Sequence, residues 1–197
     1  FLSELSENHS LVTKIGVDLN TQALQHGNSM VNMQGTLVQG DFHHLPFTEN
    51  SLALAIGLDA FDQTKANLKI ALSESFRTLV KEGLLLIRVS AHPWLLGQHD
   101  QSFGTGRRYT KNEICSSITK AGFQIERFTY ANTIMLLPAI IVRIAIKLQI
   151  TSVKQQFSTP NILNILLTKI LQMEASVLQL TSLPAGLSIY VLARKPK

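Results

Sequence analysis

The chain has 197 residues, 45% hydrophobic and 16% charged, a length that suits one domain and a composition that excludes disorder as a description of the whole. A single cysteine, Cys115, excludes a disulfide framework and a multi-cysteine metal site. The net charge of +5 is unevenly spread: residues 1–64 hold seven acids and one Lys, whereas residues 131–197 hold seven bases and only Glu174. The bases are scattered, with Arg107-Arg108-x-x-Lys111 and the tail Arg194-Lys195-Pro-Lys197 as the small clusters, so a solvated basic surface is expected and no nucleic-acid partner. The amino end is polar within its first ten residues, unlike a secretory signal, and a cytoplasmic setting is the expectation.

Strands and helices alternate along the chain. Lys14 to Leu19 is a short apolar run ending in an acid, and Thr21 to Met33 reads as a helix capped by Asn20 or Thr21. Thr36 to Gly40, Leu52 to Leu58 and Leu84 to Val89 are further runs of strand length, with the near-continuous apolarity of parallel strands buried on both faces. Between the last two, Leu68, Ala71, Leu72, Phe76 and Leu79 recur at helical spacing over Lys65 to Val80, with Lys81 and Gly83 as stop signals. Thr110 to Ala121 is a helix whose Thr110 and Glu113 form a capping box and which Gly122 ends. Strands at Phe123 to Tyr130 and Leu187 to Ala193 complete a doubly wound α/β pattern, whose ligands bind at the carboxyl ends of the strands.

Residues 131–183, within a single domain spanning 1–197, are a helical insertion or lid that this pattern does not need. Ile134 to Ile150 is apolar but broken by Pro138, Arg143 and Lys147, too short and too charged for a spanning helix. Ser158-Thr159-Pro160 is a helix start, and Asn161 to Leu180 follows as a long amphipathic helix. Two readings stand: ordinary core helices, or an apolar lid or peripheral membrane surface over 134–180, where Arg143, Lys147, Lys154 and Lys169 would meet anionic head groups.

The polar residues at the strand ends carry the chemistry. Asp18 ends its strand where an acid binds the ribose of a nucleoside cofactor, although a helix cap reads the same way. Gly40-Asp41-Phe42 followed by Leu45-Pro46-Phe47 offers an acceptor for an amine beside an aromatic face.

In this order the residues resemble the class I S-adenosylmethionine-dependent methyltransferases, in particular the small-molecule enzymes of methyltransferase type 11. Their pattern is roughly G-V-D-x-S, then G-D-x-x-x-L-P-F, then R-x-L-K-P-G-G. The matching segments are Gly16-Val17-Asp18-Leu19-Asn20, Gly40-Asp41-Phe42-His43-His44-Leu45-Pro46-Phe47 and Arg77-Thr78-Leu79-Val80-Lys81-Glu82-Gly83. His99-Asp100, Arg107-Arg108-Tyr109-Thr110 and Leu183-Pro184-x-Gly186-Leu187-Ser188 are similar to a subgroup. The resemblance implies a Rossmann-like sheet, mostly parallel with its last strand antiparallel, and S-adenosylmethionine as cofactor. It implies that Asp18 binds the ribose, Leu19 packs on the adenine, Asp41 takes the adenine amine and Phe42 flanks the ring, with Gly57 and Leu58 on the methionine side.

The departures are specific. The first strand of the family and its G-x-G-x-G turn have no counterpart, and Phe1-Leu2-Ser3-Glu4-Leu5 is similar to the helix after that turn, so the expectation is an N-terminally truncated chain. Gly104-Thr105-Gly106 reads as a loop and not as a displaced cofactor turn. Relatives often carry His where Asp62-Gln63 stands here, and Glu82-Gly83-Leu84 replaces their Pro-Gly-Gly. Without the first strand, the strands at 14–19 and 52–58 would be left about 10 Å apart, twice the usual spacing. Three outcomes are expected: direct pairing of those strands, a strand borrowed from a partner or a second copy, or stability only within a longer protein.

Methyl transfer asks the protein to align a nucleophile and, for a hydroxyl acceptor, to take a proton. An acidic front half suits a cationic cofactor. His99 is the candidate proton acceptor, ahead of His43, His44 and His92. Asp100 and Tyr109 would position a polar acceptor, and Arg107 and Arg108 an anionic one, unless either Arg simply pairs with Asp100 in a structural turn. The resemblance leaves two functions: methyl transfer to a small molecule, lipid-like or glycan-linked, or a non-catalytic methyltransferase-like partner or scaffold module.

Overall fold

Two sheets carry the fold in the computed structural model, which describes residues 13–29, 35–148 and 161–197. The smaller pairs β1 (Ile15–Asp18) in parallel with β2 (Thr36–Gln39), and α1 (Thr21–Ser29) lies between them in the chain. In the larger, β3 (Leu52–Leu58) runs parallel to β4 (Leu79–Ser90), and β6 (Ser188–Arg194) lies antiparallel between β4 and β5 (Gln124–Ala131). The last strand alone is antiparallel to its neighbours, as expected. The expected helix at residues 1–5 and the helix start at 158–160 lie outside the described residues.

Alternation along the strands decides which face becomes core. Leu85, Ile87 and Val89 of β4 stand opposite Ala193, Val191 and Ile189 of β6, and all six are at most 1% exposed. They join Ala71 and Leu72 of α2 (Leu68–Thr78) and Ile114 and Ile118 of α4 (Lys111–Lys120) in one cluster. The opposite face, with Leu86, Arg88, Tyr190 and Leu192, is only half-buried. A short α3 (Gln98–Ser102) follows a 3-10 turn at Pro93–Leu95, and the insertion supplies α5 (Thr133–Lys147) and α6 (Asn161–Leu180).

The caps formed as their residue types dictate. Asn20 Oδ1 accepts the Gln22 N–H at 2.9 Å, and Thr110 and Glu113 close their box with Glu113 Oε2 2.8 Å from the Thr110 nitrogen. Glu174 does the same at a distance: its buried carboxylate accepts the N–H groups of Asn132 and Thr133, capping α5 from α6.

Several boundaries differ from the sequence reading, most of all at the junction of β4 with α2, which starts at Leu68 and not Lys65. Helix α2 ends at Thr78 and not Val80, and β4 begins at Leu79 and not Leu84. Leu79 already pairs with Leu52, after which a register shift and a left-handed Glu82 (φ 63°) absorb the extra residues before Leu84. The Lys195 ammonium holds the helix end, donating to the carbonyls of Phe76 and Leu79, each at 2.7 Å. Direct pairing of β1 with β3 does not occur: among the described residues β1 pairs only with β2, and β3 only with β4.

Candidate active site

The parallel register of β1 and β2 sets Asp18 opposite Gln39, so Asp18 and Asp41 follow one another across adjacent strand ends. Asp18 Oδ1 accepts the Asn20 N–H at 2.7 Å, which tightens the turn into α1. Leu19 projects from that turn, 67% exposed. Both contacts of Asp41 fall on Oδ1: the backbone N–H of His43 at 2.8 Å and His43 Nδ1 at 2.7 Å. The backbone donor, then the side-chain one, hold the Asp41 carboxyl below its ordinary value despite the opposing effect of desolvation. Because His43 Nε2 accepts the Asn67 N–H at 2.8 Å, Nδ1 carries the ring proton. His43 therefore ties the end of β2 to the start of α2. Asp41 Oδ2 has no hydrogen bond among the described residues.

Arg77 and Glu74, on one face of α2, place the loop that carries Asp41. Arg77 Nη1 donates to the Phe47 carbonyl at 2.9 Å and Nη2 to the Leu45 carbonyl at 3.1 Å, while Glu74 Oε2 accepts the Leu45 N–H at 3.0 Å. Arg77 and Glu74 are themselves bidentate, at 2.9 and 2.8 Å. Two motifs that the sequence shows as separate segments, Leu45-Pro46-Phe47 and Arg77-x-Leu79, meet in this clamp. Phe42 packs on Phe61, ring centroids 6.1 Å apart. Phe61 also explains Gly57: a Cβ there would lie 2.0 Å from Phe61 Cε2, so packing requires glycine. Leu58 is 39% exposed at the strand end.

Beyond β3 and β4 the structure gathers groups that sequence reasoning missed or passed over. Asp59 takes a left-handed backbone (φ 55°), and its carboxylate pairs with Arg88. Burial raises the Asp59 carboxyl, with Arg88 opposing and Asp62 adding to the rise. Asp62 is 1% exposed; Oδ2 accepts the Ser90 N–H at 2.8 Å, whereas Oδ1 has no partner. Arg88 Nε and His92 Nε2 are likewise buried without partners among the described residues. Such atoms are costly to bury and rare in native folds. The available signal was an Arg inside the run Leu84 to Val89.

The expected acceptor residues have partners within the fold. Asp100 Oδ1 takes Arg108 Nη2 at 2.5 Å and Nε at 3.1 Å, Asp100 Oδ2 accepts the Gly97 N–H at 2.8 Å, and both side chains are largely buried. The structural pairing left open by the sequence is the one that forms, with Arg108. Tyr109, 2% exposed, donates its hydroxyl to the Phe61 carbonyl at 3.0 Å. Arg107 stays at the surface, 3.3 Å from Glu113 and stacked over the Tyr109 ring. His99 lies in α3, but its side chain is outside the described residues. Among the described residues no cluster of metal-ligating side chains occurs.

This is the Rossmann-like fold seen in solved S-adenosylmethionine-dependent methyltransferases. Residues 1–87 match the family model described as a methyltransferase domain, which implies S-adenosylmethionine as cofactor. The fold is similar to that of an S-adenosylmethionine-dependent methyltransferase from Mesorhizobium loti (TM-score 0.61, 14% identity, 97% of this chain and 84% of that one). It is similar to a methyltransferase complex with an activator from Haloferax volcanii (0.62, 15%, 98% and 76%). A third likeness is to geranyl diphosphate methyltransferase with GPP and sinefungin (0.62, 13%, 98% and 67%). No curated protein matches the sequence significantly.

The clamp titrates in a predictable direction. Hydrogen bonding from Arg77, with the Leu45 N–H adding, holds the Glu74 carboxyl below its ordinary 4.5. With the folded value below the unfolded one, its stabilisation is complete above about pH 5 and is lost as pH falls through the lowered value. Thermal melts over a pH series should show wild type losing stability relative to Glu74→Gln as pH falls below about 5. Parallel pH curves for the two proteins would contradict the assignment.

Proposed function

We propose that this chain transfers a methyl group from S-adenosylmethionine to a small-molecule acceptor with an apolar body, lipid-like or glycan-linked. The observation that carries this reading is the pair of carboxylates, Asp18 and Asp41, at the carboxyl ends of paired parallel strands. Asp18 accepts hydrogen bonds from the ribose hydroxyls, and exposed Leu19 covers one face of the adenine. Asp41 Oδ2 accepts from the adenine amine, and Phe42 flanks the ring. Leu58 lines the methionine side, with Gly57 behind it in contact with Phe61.

When bound, the cofactor supplies a methyl group already activated on a sulfonium, so alignment of the acceptor is the main task of the protein. His99 is the proposed proton acceptor for a hydroxyl acceptor. Asp100 and Tyr109 serve as positioning residues, the first by starting α3 at Gly97 and holding Arg108, the second by anchoring the wall at Phe61. Arg107 remains at the rim for an anionic portion of the acceptor. The geranyl diphosphate methyltransferase of similar fold favours an acceptor with an apolar chain.

The insertion suits a membrane-peripheral site of action. Helix α5 has no buried residue and exposes Ile134, Leu137, Ile141, Ile144 and Leu148 at a spacing of three and four. Its charged residues are Arg143 and Lys147, and no helix among the described residues is long and apolar enough to cross a membrane. Among the described residues one edge of β1 and one of β3 pair with no strand, which suits a strand donated by a partner or a second copy.

Calorimetric titration should show S-adenosylmethionine binding, weakened about 10- to 100-fold in Asp18→Ala and in Asp41→Ala, as expected when a charged hydrogen-bond acceptor is lost. Absence of binding in a folded protein would favour the non-catalytic scaffold reading. Separately, sedimentation with anionic liposomes should pull down the wild-type protein in a salt-sensitive manner and Ile141→Glu less; equal binding of the two would remove the membrane contact.

A further inference from the structure

The sheet face turned away from α2 and α4 is crossed by α6, and a cavity of about 400 Å³ lies between them. That volume falls within the range of small-molecule sites, about 300–1,000 Å³. Leu86 and Leu192 form its floor, and Leu171, Ala175 and Leu178 its roof. The charged groups around it are already committed. Arg127 Nη2 donates to the carbonyls of Leu178 and of Thr181, the latter at 2.8 Å. Glu174 accepts the N–H groups of Asn132 and Thr133, and Thr129 Oγ1 donates to the Tyr130 carbonyl and accepts the Leu183 N–H.

Among the described residues two lining side chains keep free polar groups: the Asn132 amide, whose one contact is Nδ2 donating to Ser188 Oγ at 3.1 Å, and Tyr190. The Tyr190 ring is half-buried in the cavity wall, and its hydroxyl has no hydrogen bond among the described residues. Burial raises the phenol above its ordinary value, so it remains a donor at neutral pH. The Arg88 guanidinium lies 6.0 Å from the ring centre, but Asp59 neutralises it. Apolar walls, balanced charges and neutral polar groups do not suit an ion. They suit a chain carrying a single oxygen.

We infer that this cavity binds the neutral hydrocarbon chain of a lipid-like molecule, a prenyl or acyl alcohol, ether or ester, whose oxygen accepts from the Tyr190 hydroxyl. The inference deepens the proposed methyl transfer by naming the class of acceptor, and rests on it for that role. Leu58, Arg88, Tyr190 and Thr129 form one row across the sheet, so the free hydroxyl shares a level with the last residue of β3, beside the proposed cofactor residues. The cavity extends from Ala131 and Asn132 past that row to Leu86 and Leu192, so a chain whose oxygen meets Tyr190 lays its apolar end over the two leucines, farther from the strand ends.

The test is displacement of the neutral fluorophore 1-aminoanthracene by farnesol, with the diphosphate of the same alcohol as a second competitor. Wild type should bind the fluorophore and release it to farnesol more readily than to farnesyl diphosphate. Ala175→Trp and Leu171→Trp, which fill the cavity from the partly exposed helix, should each weaken binding at least tenfold. Tyr190→Phe should weaken farnesol about fivefold while leaving the fluorophore unchanged, the effect of one lost hydrogen bond. Binding that persists in both Trp variants, or that Leu137→Glu abolishes, would place the probe elsewhere and overturn the inference. Titration of S-adenosylmethionine into the same samples separates the two readings: farnesol bound without cofactor sinks the methyl-transfer role alone, and cofactor bound without farnesol sinks the cavity assignment alone.

Discussion

Arg77 reaches from α2 to two carbonyls of the loop after β2, while its neighbour Glu74 takes the N–H of Leu45 from the same loop. The smaller sheet depends on this contact for its position, since β1 and β2 pair with no strand of the larger sheet among the described residues. Two lesser ties assist, the His43 contact to Asn67 and the packing of Phe42 on Phe61. All of them converge on the segment from Asp41 to Phe47. A planar guanidinium suits this task because its donors form a rigid fork of fixed directions, which matches two carbonyls and a bidentate carboxylate.

Electrostatics divides the strand ends into two zones. Beside β1 and β2 the carboxylates of Asp18 and Asp41 each accept a backbone donor, and that of His43 holds the Asp41 carboxyl below its ordinary value. Beside β3 and β4 the charges are paired or buried: Asp59 pairs with Arg88 while staying partly exposed, Asp62 is buried with one oxygen unpartnered, and Asp100 is locked to Arg108. Buried pairs contribute little net stability, but removing one partner is strongly destabilising. The first zone suits a cationic nucleoside cofactor, and the second fixes the wall next to it.

Much of this was legible because local rules and the fold agreed. Near-continuous apolar runs marked the strands, and Asn20 and Thr110 marked helix starts that formed as caps. What escaped had nonlocal causes. The start of β4 at Leu79 depends on pairing with Leu52 and on Lys195, more than a hundred residues away. Tyr109 carries a hydroxyl that looked available, yet its partner is a carbonyl 48 residues earlier. Gly57 suggested a cofactor contact, whereas the ring of Phe61 already requires it. The cavity under α6 could not be anticipated, since the sequence does not say which sheet face a long amphipathic helix will cross.

The coupling between the clamp and the proposed cofactor site can be measured by amide hydrogen exchange together with cofactor titration on Arg77→Met. The account predicts faster exchange for the amides of 41–47 and weaker S-adenosylmethionine binding, while the amides of β4 and β6 stay protected. Unchanged binding alongside a deprotected loop would contradict it, because the loop would then not be what presents Asp41 and Phe42.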